Sequence, residues 1–273
     1  MAVLGRKDNP EGRMSLGEHF REFRRRALIA AVAVAIGAVV GWLKFHTVYQ
    51  WMIDPLLDAA RDRHVPASRV STNFGRGVGD AFSIKLKVSL WLGFILASPV
   101  WLWEIWAFLA PGLTRKEKRV GAAFILSAVP LFLIGCWVAT RTIPNAVVFL
   151  VGQTPKQGTN FIDAQTYIAF ITKFVLAFGL AFLLPVFLVG LNGIRVLPAR
   201  VMLKGWRIAT MLIFVFAAVM SPSPDAWSML ALAFPMVGLY FAAVAVSAFF
   251  DRRRKQAEPR EWLDVPDDEA STL

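Results

Sequence analysis

The chain has 273 residues, a formal net charge of +11, 56% apolar and 18% charged residues, and a mean hydropathy of +0.53. Soluble domains carry about 25% charge and intersperse it, so a soluble globular fold is excluded. The lone cysteine, Cys136, excludes an intramolecular disulfide and most cysteine-based metal sites.

Residues 1–14 form a polar N-terminal tail. Ser15 and Glu18 then have the spacing of a capping box. Leu16, Phe20, Phe23 and Ala27 recur at helical spacing, with Arg21, Glu22, Arg24 and Arg25 on other faces. That pattern predicts an amphipathic helix lying in the interface before the chain turns into a first span. No cleavage site follows the first apolar block, which therefore reads as a retained span. Apolar blocks occupy 27–43, 88–109 (broken only by Glu104), 120–140, 174–194, 208–224 and 226–250. A bilayer core needs roughly 17–25 helical residues, so these are six candidate spans. The fifth is cut short by Pro222 and Pro224.

Charge decides whether the fifth block crosses. Seven basic residues precede Ala27, four lie in 115–119, four in 195–207 and five in 252–260, together 20 of the 30 in the chain. These clusters sit on alternate loops, and the turn between the fifth and sixth blocks has none. By the positive-inside rule the basic set is cytoplasmic. The alternation holds only if all six blocks cross, with both termini on the cytoplasmic side. Net charge of this kind reads as topology rather than as a nucleic-acid patch. On the external side, Asp54 and Pro55 have the form of an N-cap and first helical residue, opening a short helix through Leu57 and Ala60. Residues 69–79 form a loop rich in Ser, Gly and Asn. Pro144 is expected to interrupt the segment after the third span, and Asp163 to cap the helix that becomes the fourth. Residues 251–273 form a cytoplasmic tail, acidic and Pro-containing after Gln256, with the composition of disorder.

Residues suited to enzyme chemistry are sparse. His19, His46 and His64 lack metal-ligand spacing, Gly75-Arg76-Gly77 lacks the flanks of a phosphate cradle, and Ser89, Ser98 and Ser127 have no His or Lys at an interpretable spacing. No cofactor or metal is expected. Glu104 is the one carboxylate clearly inside a span. A charge at mid-bilayer costs ~2.5–3.5 kcal/mol, but Glu104 lies within a turn or two of the cytoplasmic interface. Snorkelling to that interface is one reading of it.

The loop motifs are more specific. His19-x-x-Glu22-x-Arg24-x-Arg26 enters the first span. Ala97-Ser98-Pro99-Val100, Trp106-Ala107-Phe108-Leu109-Ala110-Pro111-Gly112-Leu113 and Glu117-Lys118-Arg119 leave the second, which begins with Phe82 and Lys87. Ser221-Pro222-Ser223-Pro224-Asp225 joins the fifth to the sixth, followed by Leu232-Ala233-Phe234-Pro235-Met236 and Leu239-Tyr240. Over residues 15–250 the chain resembles TatC, the multispanning receptor subunit of the twin-arginine protein translocase.

The resemblance implies an all-α membrane protein: a glove-shaped bundle of six transmembrane helices with short interfacial and external helices, without enzymatic activity, in a bacterial-type cell membrane. It implies binding of twin-arginine signal peptides, TatA- and TatB-type partners, self-association in a receptor complex, and export of folded proteins on the proton-motive force. The family's signal-binding glutamates fall on Glu22 and Glu117, and Arg24, Phe108 and Arg119 join them as signal-contact candidates. Carboxylates at a half-desolvated interface hold guanidinium groups through charge-assisted, often bidentate, bonds, and lysine matches that geometry poorly. The residues alone also allow Glu22 to pair with Arg25 or Arg26 on its own helix, and Glu117 to be a solvated loop charge. Pro55, Pro99, Glu104, Leu183, Met229 and Asp225 are candidates for structural or partner-contact roles. The chain departs from the family where Leu183 stands for a glutamate, Met229 for a glutamine, Phe241 for a glutamate and Glu104 for a glutamine. The loss of polar groups predicts an apolar docking surface near Leu183 and Met229 for a partner's membrane helix. The competing functions are a secondary transporter for a small solute or ion, which needs ionisable groups near the midplane, and a membrane scaffold.

Overall fold

The computed structural model describes residues 16–62, 72–73, 77, 79–109, 115–152, 162–220 and 226–257. Nearly all of them are helical. The first helix, α1 (Leu16–Leu43), is followed by α2 (Phe45–Asp62), α3 (Asp80–Leu96), α4 (Ser98–Leu109), α5 (Arg115–Gly152), α6 (Ala164–Ala181), α7 (Leu184–Gly193), α8 (Ala199–Lys204), α9 (Trp206–Met220) and α10 (Ala226–Ala257). Two short strands, β1 (Thr72–Asn73) and β2 (Ile162–Asp163), pair in parallel with Thr72 opposite Ile162.

Four helical stretches are long and apolar enough to cross a membrane: Gly17–Leu43, Phe124–Phe149, Ala164–Gly193 and Ser228–Arg254. The bent pair α3–α4 makes a fifth, and α9, at 15 residues, is shorter. Their outer faces carry exposed large apolar side chains, among them Leu28, Val32, Ile36 and Val39 on α1 and Phe187, Met211 and Phe234 elsewhere. In water such surface would be unstable; against lipid it is the matching solvent.

Helix α1 packs on α3 through small residues. A Cβ added at Gly37 would stand 2.8 Å from the Gly93 carbonyl oxygen, one at Gly41 2.7 Å from the Ser89 oxygen, and one at Gly93 2.5 Å from the Ala38 amide nitrogen. The two backbones touch along a Gly-x-x-x-Gly seam, the close approach by which membrane helices gain packing without a hydrophobic driving force. The α5–α6 contact repeats the device at Gly135, over the Phe178 carbonyl, and at Gly179, over Phe132 and Cys136. Between them lies the centre of the core, where Phe174 and Phe178 sit 4.8 Å apart and Trp101 meets Phe132 edge-on at 5.4 Å.

The second span bends by 59° between α3 and α4. Pro99, second residue of α4, has no amide hydrogen and cannot continue the ladder from α3. Across the bend the Phe94 carbonyl accepts from the Trp101 indole N–H at 3.0 Å, so that acceptor is satisfied in a setting without water.

Several sequence expectations are corrected. The amphipathic segment and first span are one continuous helix, α1: the run contains no Pro and nothing local to break it. Pro55 does not open a helix; it lies inside α2, which starts at Phe45. Pro144 does not interrupt α5, which runs through both Pro130 and Pro144. Helix α10 runs past Phe250 to Ala257. Asp163 caps α6 as expected, accepting from the Thr166 amide at 2.8 Å. Ser15 of the proposed capping box, Asp225 and the tail beyond Ala257 lie outside the described residues.

The end of the bundle opposite the basic clusters is tied by polar contacts. Gln165 donates to Asp80 at 2.8 Å, and the Asp80 carboxylate also accepts from the Gly77 amide. The Tyr167 hydroxyl donates to the Met52 carbonyl at 3.0 Å, joining α6 to α2.

Candidate functional site

Four residues of α1, His19, Glu22, Phe23 and Arg26, recur at i, i+3, i+4 and i+7 and so share one helix face. The bend at Ala97 brings α4 back along this face. There Phe108 packs against His19, with ring centroids 4.4 Å apart, and meets Phe23 edge-on at 5.6 Å. One turn earlier on α4, Glu104 accepts from Arg26 Nη1 at 2.9 Å. Arg26 Nη2 lies 2.6 Å from Glu22 Oε1. A single guanidinium therefore bridges a carboxylate of its own helix to one 78 residues on.

The bridge answers two questions left open by the sequence. Glu22 makes the intrahelical pair with Arg26, and Glu104 is held by Arg26 rather than left to reach for water alone. The side chains are 22% exposed at Glu22, 18% at Arg26 and 14% at Glu104, so solvent screens the pair only partly. Two carboxylates share one guanidinium, and the cluster keeps a formal charge of −1. Next to it, Arg21, Arg24 and Arg25 point to other, exposed faces of α1.

Helix α5 begins beyond this cluster. Glu117 is its third residue and Arg119 its fifth; both backbones are helical, and their side chains lie outside the described set. The start of α5 is seated against α4, because a Cβ at Gly121 would run into the Trp106 ring. The α1 face thus packs on α4 through Phe108, and α4 in turn seats the start of α5 at Trp106. The sequence pointed to Glu22, Arg24 and Phe108 singly. It missed His19 and Phe23 as packing partners of Phe108, although their common helix face was readable from spacing. Arg26 was visible only as a local partner.

Leu183 is half-buried and lines an apolar cavity of about 540 Å³ between α7, α9 and α10, with Phe187, Leu212, Phe216, Met236 and Tyr240. Met229, seven residues before Met236 on α10, packs on the core and does not line that cavity. Pro99 makes the α3–α4 bend. Among the described residues, no group of three or more His, Cys, Asp or Glu is placed to hold a metal ion.

The chain is similar to known proteins over most of its length. Residues 18–235 match the family model "Sec-independent protein translocase protein (TatC)". The TatC protein of Xylanimonas cellulosilytica is 42% identical over 241 residues, covering 88% of this chain and 86% of the relative. That of Rothia mucilaginosa is 38% identical over 253 residues, covering 92% and 85%. A solved crystal structure of a TatC twin-arginine translocase receptor superposes with a TM-score of 0.70 at 28% identity, over 85% of this chain and 98% of the other.

Proposed function

Because this chain belongs to the TatC family and is a multi-pass core subunit of a twin-arginine translocase of the bacterial cell membrane, we propose that it captures the paired arginines of signal peptides at the α1–α4–α5 site. The observation that carries this reading is the Arg26 bridge. Two carboxylates around one guanidinium retain a negative charge at a half-desolvated interface, which favours a second guanidinium. Arg26 orients Glu22, and Glu117 at the start of α5 supplies a further carboxylate. Phe108 is the apolar floor for the hydrophobic residues after the arginine pair, Arg119 lines the approach, and Arg24, on the neighbouring exposed face of α1, stands at its edge. The chain carries out no covalent chemistry. It works with TatA- and TatB-type single-span partners and self-associates, and the proton-motive force drives passage of folded cargo. All six apolar segments cross, including α9, with both termini in the cytoplasm.

The test is capture of the purified protein by an immobilised peptide of the form Ser-Arg-Arg-x-Phe-Leu-Lys, against its twin-lysine counterpart. Charge-assisted hydrogen bonds contribute ~1.5–3 kcal/mol each, so Glu117→Ala should weaken capture roughly tenfold or more, and Glu22→Ala less. Normal transport of a stringent twin-arginine cargo in the double variant would remove both residues from the mechanism.

A further inference from the structure

At the end of the bundle where α7 closes and α10 emerges, the structure holds a second polar cluster. Asp251 on α10 accepts from the Asn192 side-chain amide at 3.0 Å and from the Ala199 backbone amide at 2.9 Å. Arg254 donates to the carbonyls of Asn192 and Gly193, at 3.0 and 3.2 Å. These contacts lock the α7–α8 turn, in which Arg195 has a left-handed backbone (φ 64°), onto the last turns of α10. Asp251 and Arg254 are thereby committed to structure.

The locked turn frames a cavity of about 570 Å³. Its polar side carries Arg195, Arg200 and Arg252, all exposed and paired with no acceptor among the described residues, beside the committed Asn192, Asp251 and Arg254. Its other wall is apolar, from Leu203 on α8 and Val244 and Ala248 on α10. Arg252 comes two residues after Phe250, the last of the apolar stretch of α10, so the arginines stand at headgroup depth and Val244 about two turns deeper, at acyl depth. We propose that this cavity binds the phosphate of an acidic phospholipid, with the three arginines on the phosphodiester and one acyl chain along Leu203, Val244 and Ala248. Guanidinium forks suit phosphate oxygens, and basic pockets between membrane helices at the cytoplasmic surface take anionic headgroups. The apolar wall argues for a lipid over a free phosphate, since inorganic phosphate would leave it wet. The site is distinct from the α1–α4–α5 cluster and does not depend on the signal-capture reading.

The experiment is native mass spectrometry of the full chain in detergent, titrated with dioleoyl phosphatidylglycerol, with dioleoyl phosphatidylcholine, or with inorganic phosphate. The wild-type protein is expected to retain phosphatidylglycerol in preference to phosphatidylcholine. The Arg200→Gln/Arg252→Gln variant should lose that retention by roughly tenfold or more, from the charge each arginine contributes at a membrane surface. Arg195→Gly should reduce it too, without a folding penalty, because glycine adopts the left-handed backbone freely. Replacing Arg6, Lys7 and Arg13 with Gln, a larger loss of charge elsewhere, should leave retention intact. Equal retention of the two lipids, or an equal loss in the tail variant, would overturn the site. Binding of inorganic phosphate as tight as that of phosphatidylglycerol would overturn its assignment to lipid.

Discussion

The Arg26 bridge makes a prediction whose sign, not only its size, can be checked. In Glu104→Gln, Arg26 keeps a neutral acceptor in place of a charged one. Charge-assisted bonds are about twice as strong as neutral ones, so the loss is about 1 kcal/mol. Arg26→Gln is worse. It leaves Glu22 and Glu104 facing each other without their cation, at 22% and 14% exposure. Breaking a fully buried pair costs about 3–5 kcal/mol, and partial solvation lowers this to roughly 2–4 kcal/mol. The double variant juxtaposes two glutamines and one carboxylate, relieving the repulsion. Glu104→Gln should therefore destabilise the wild-type protein but stabilise the Arg26→Gln protein. Thermal unfolding in detergent reads this as a fall of roughly 2–4 °C per kcal/mol, followed by partial recovery in the double variant. If Glu104→Gln lowers the midpoint equally in both backgrounds, the two side chains are uncoupled and the bridge is not what holds α4 against α1.

Three further outcomes follow from the packing and topology. A reporter fused after Phe250 should read cytoplasmic and one inserted near Gly158 external; a C-terminal reporter on the outside would mean that α9 does not cross. Gly37→Leu or Gly93→Leu should separate α1 from α3, since the obstructing atoms are backbone at 2.5–2.9 Å and cannot yield as a side chain would; limited proteolysis in detergent should accelerate, and unchanged protection would refute the seam. Leu183→Met and Met229→Leu should be nearly silent in co-purification of a TatA- or TatB-type partner, because volume-conserving apolar swaps are tolerated. Leu183→Asp should reduce that co-purification, and an intact complex would count against docking at the α7–α9–α10 cavity.

Apolar run lengths, the ends of them that carry positive charge and single caps such as Asp163 are legible in the residues alone. These are one-dimensional signals: a run length, a charge asymmetry, a side chain beside its own backbone. Motifs around Glu22, Phe108 and Glu117 likewise pointed to one functional region. Proline misled twice by the same logic. Pro55 and Pro144 have the look of boundaries, but the helices continue through them, while Pro99 lies at a sharp bend across which Trp101 donates to the Phe94 carbonyl. The partner of Glu104 emerges only from the packed fold, because an ionic group near an interface has two outlets, water or a cation. The choice depends on the α3–α4 bend laying Glu104 beside Arg26. The same holds for Asp251, which the composition assigned to a tail and the fold uses to hold the α7–α8 turn. It holds too for Gly37 and Gly93, whose close approach exists only once α1 and α3 have met. Local chemistry settles which segments enter the membrane; packing in three dimensions settles which charges inside it find each other.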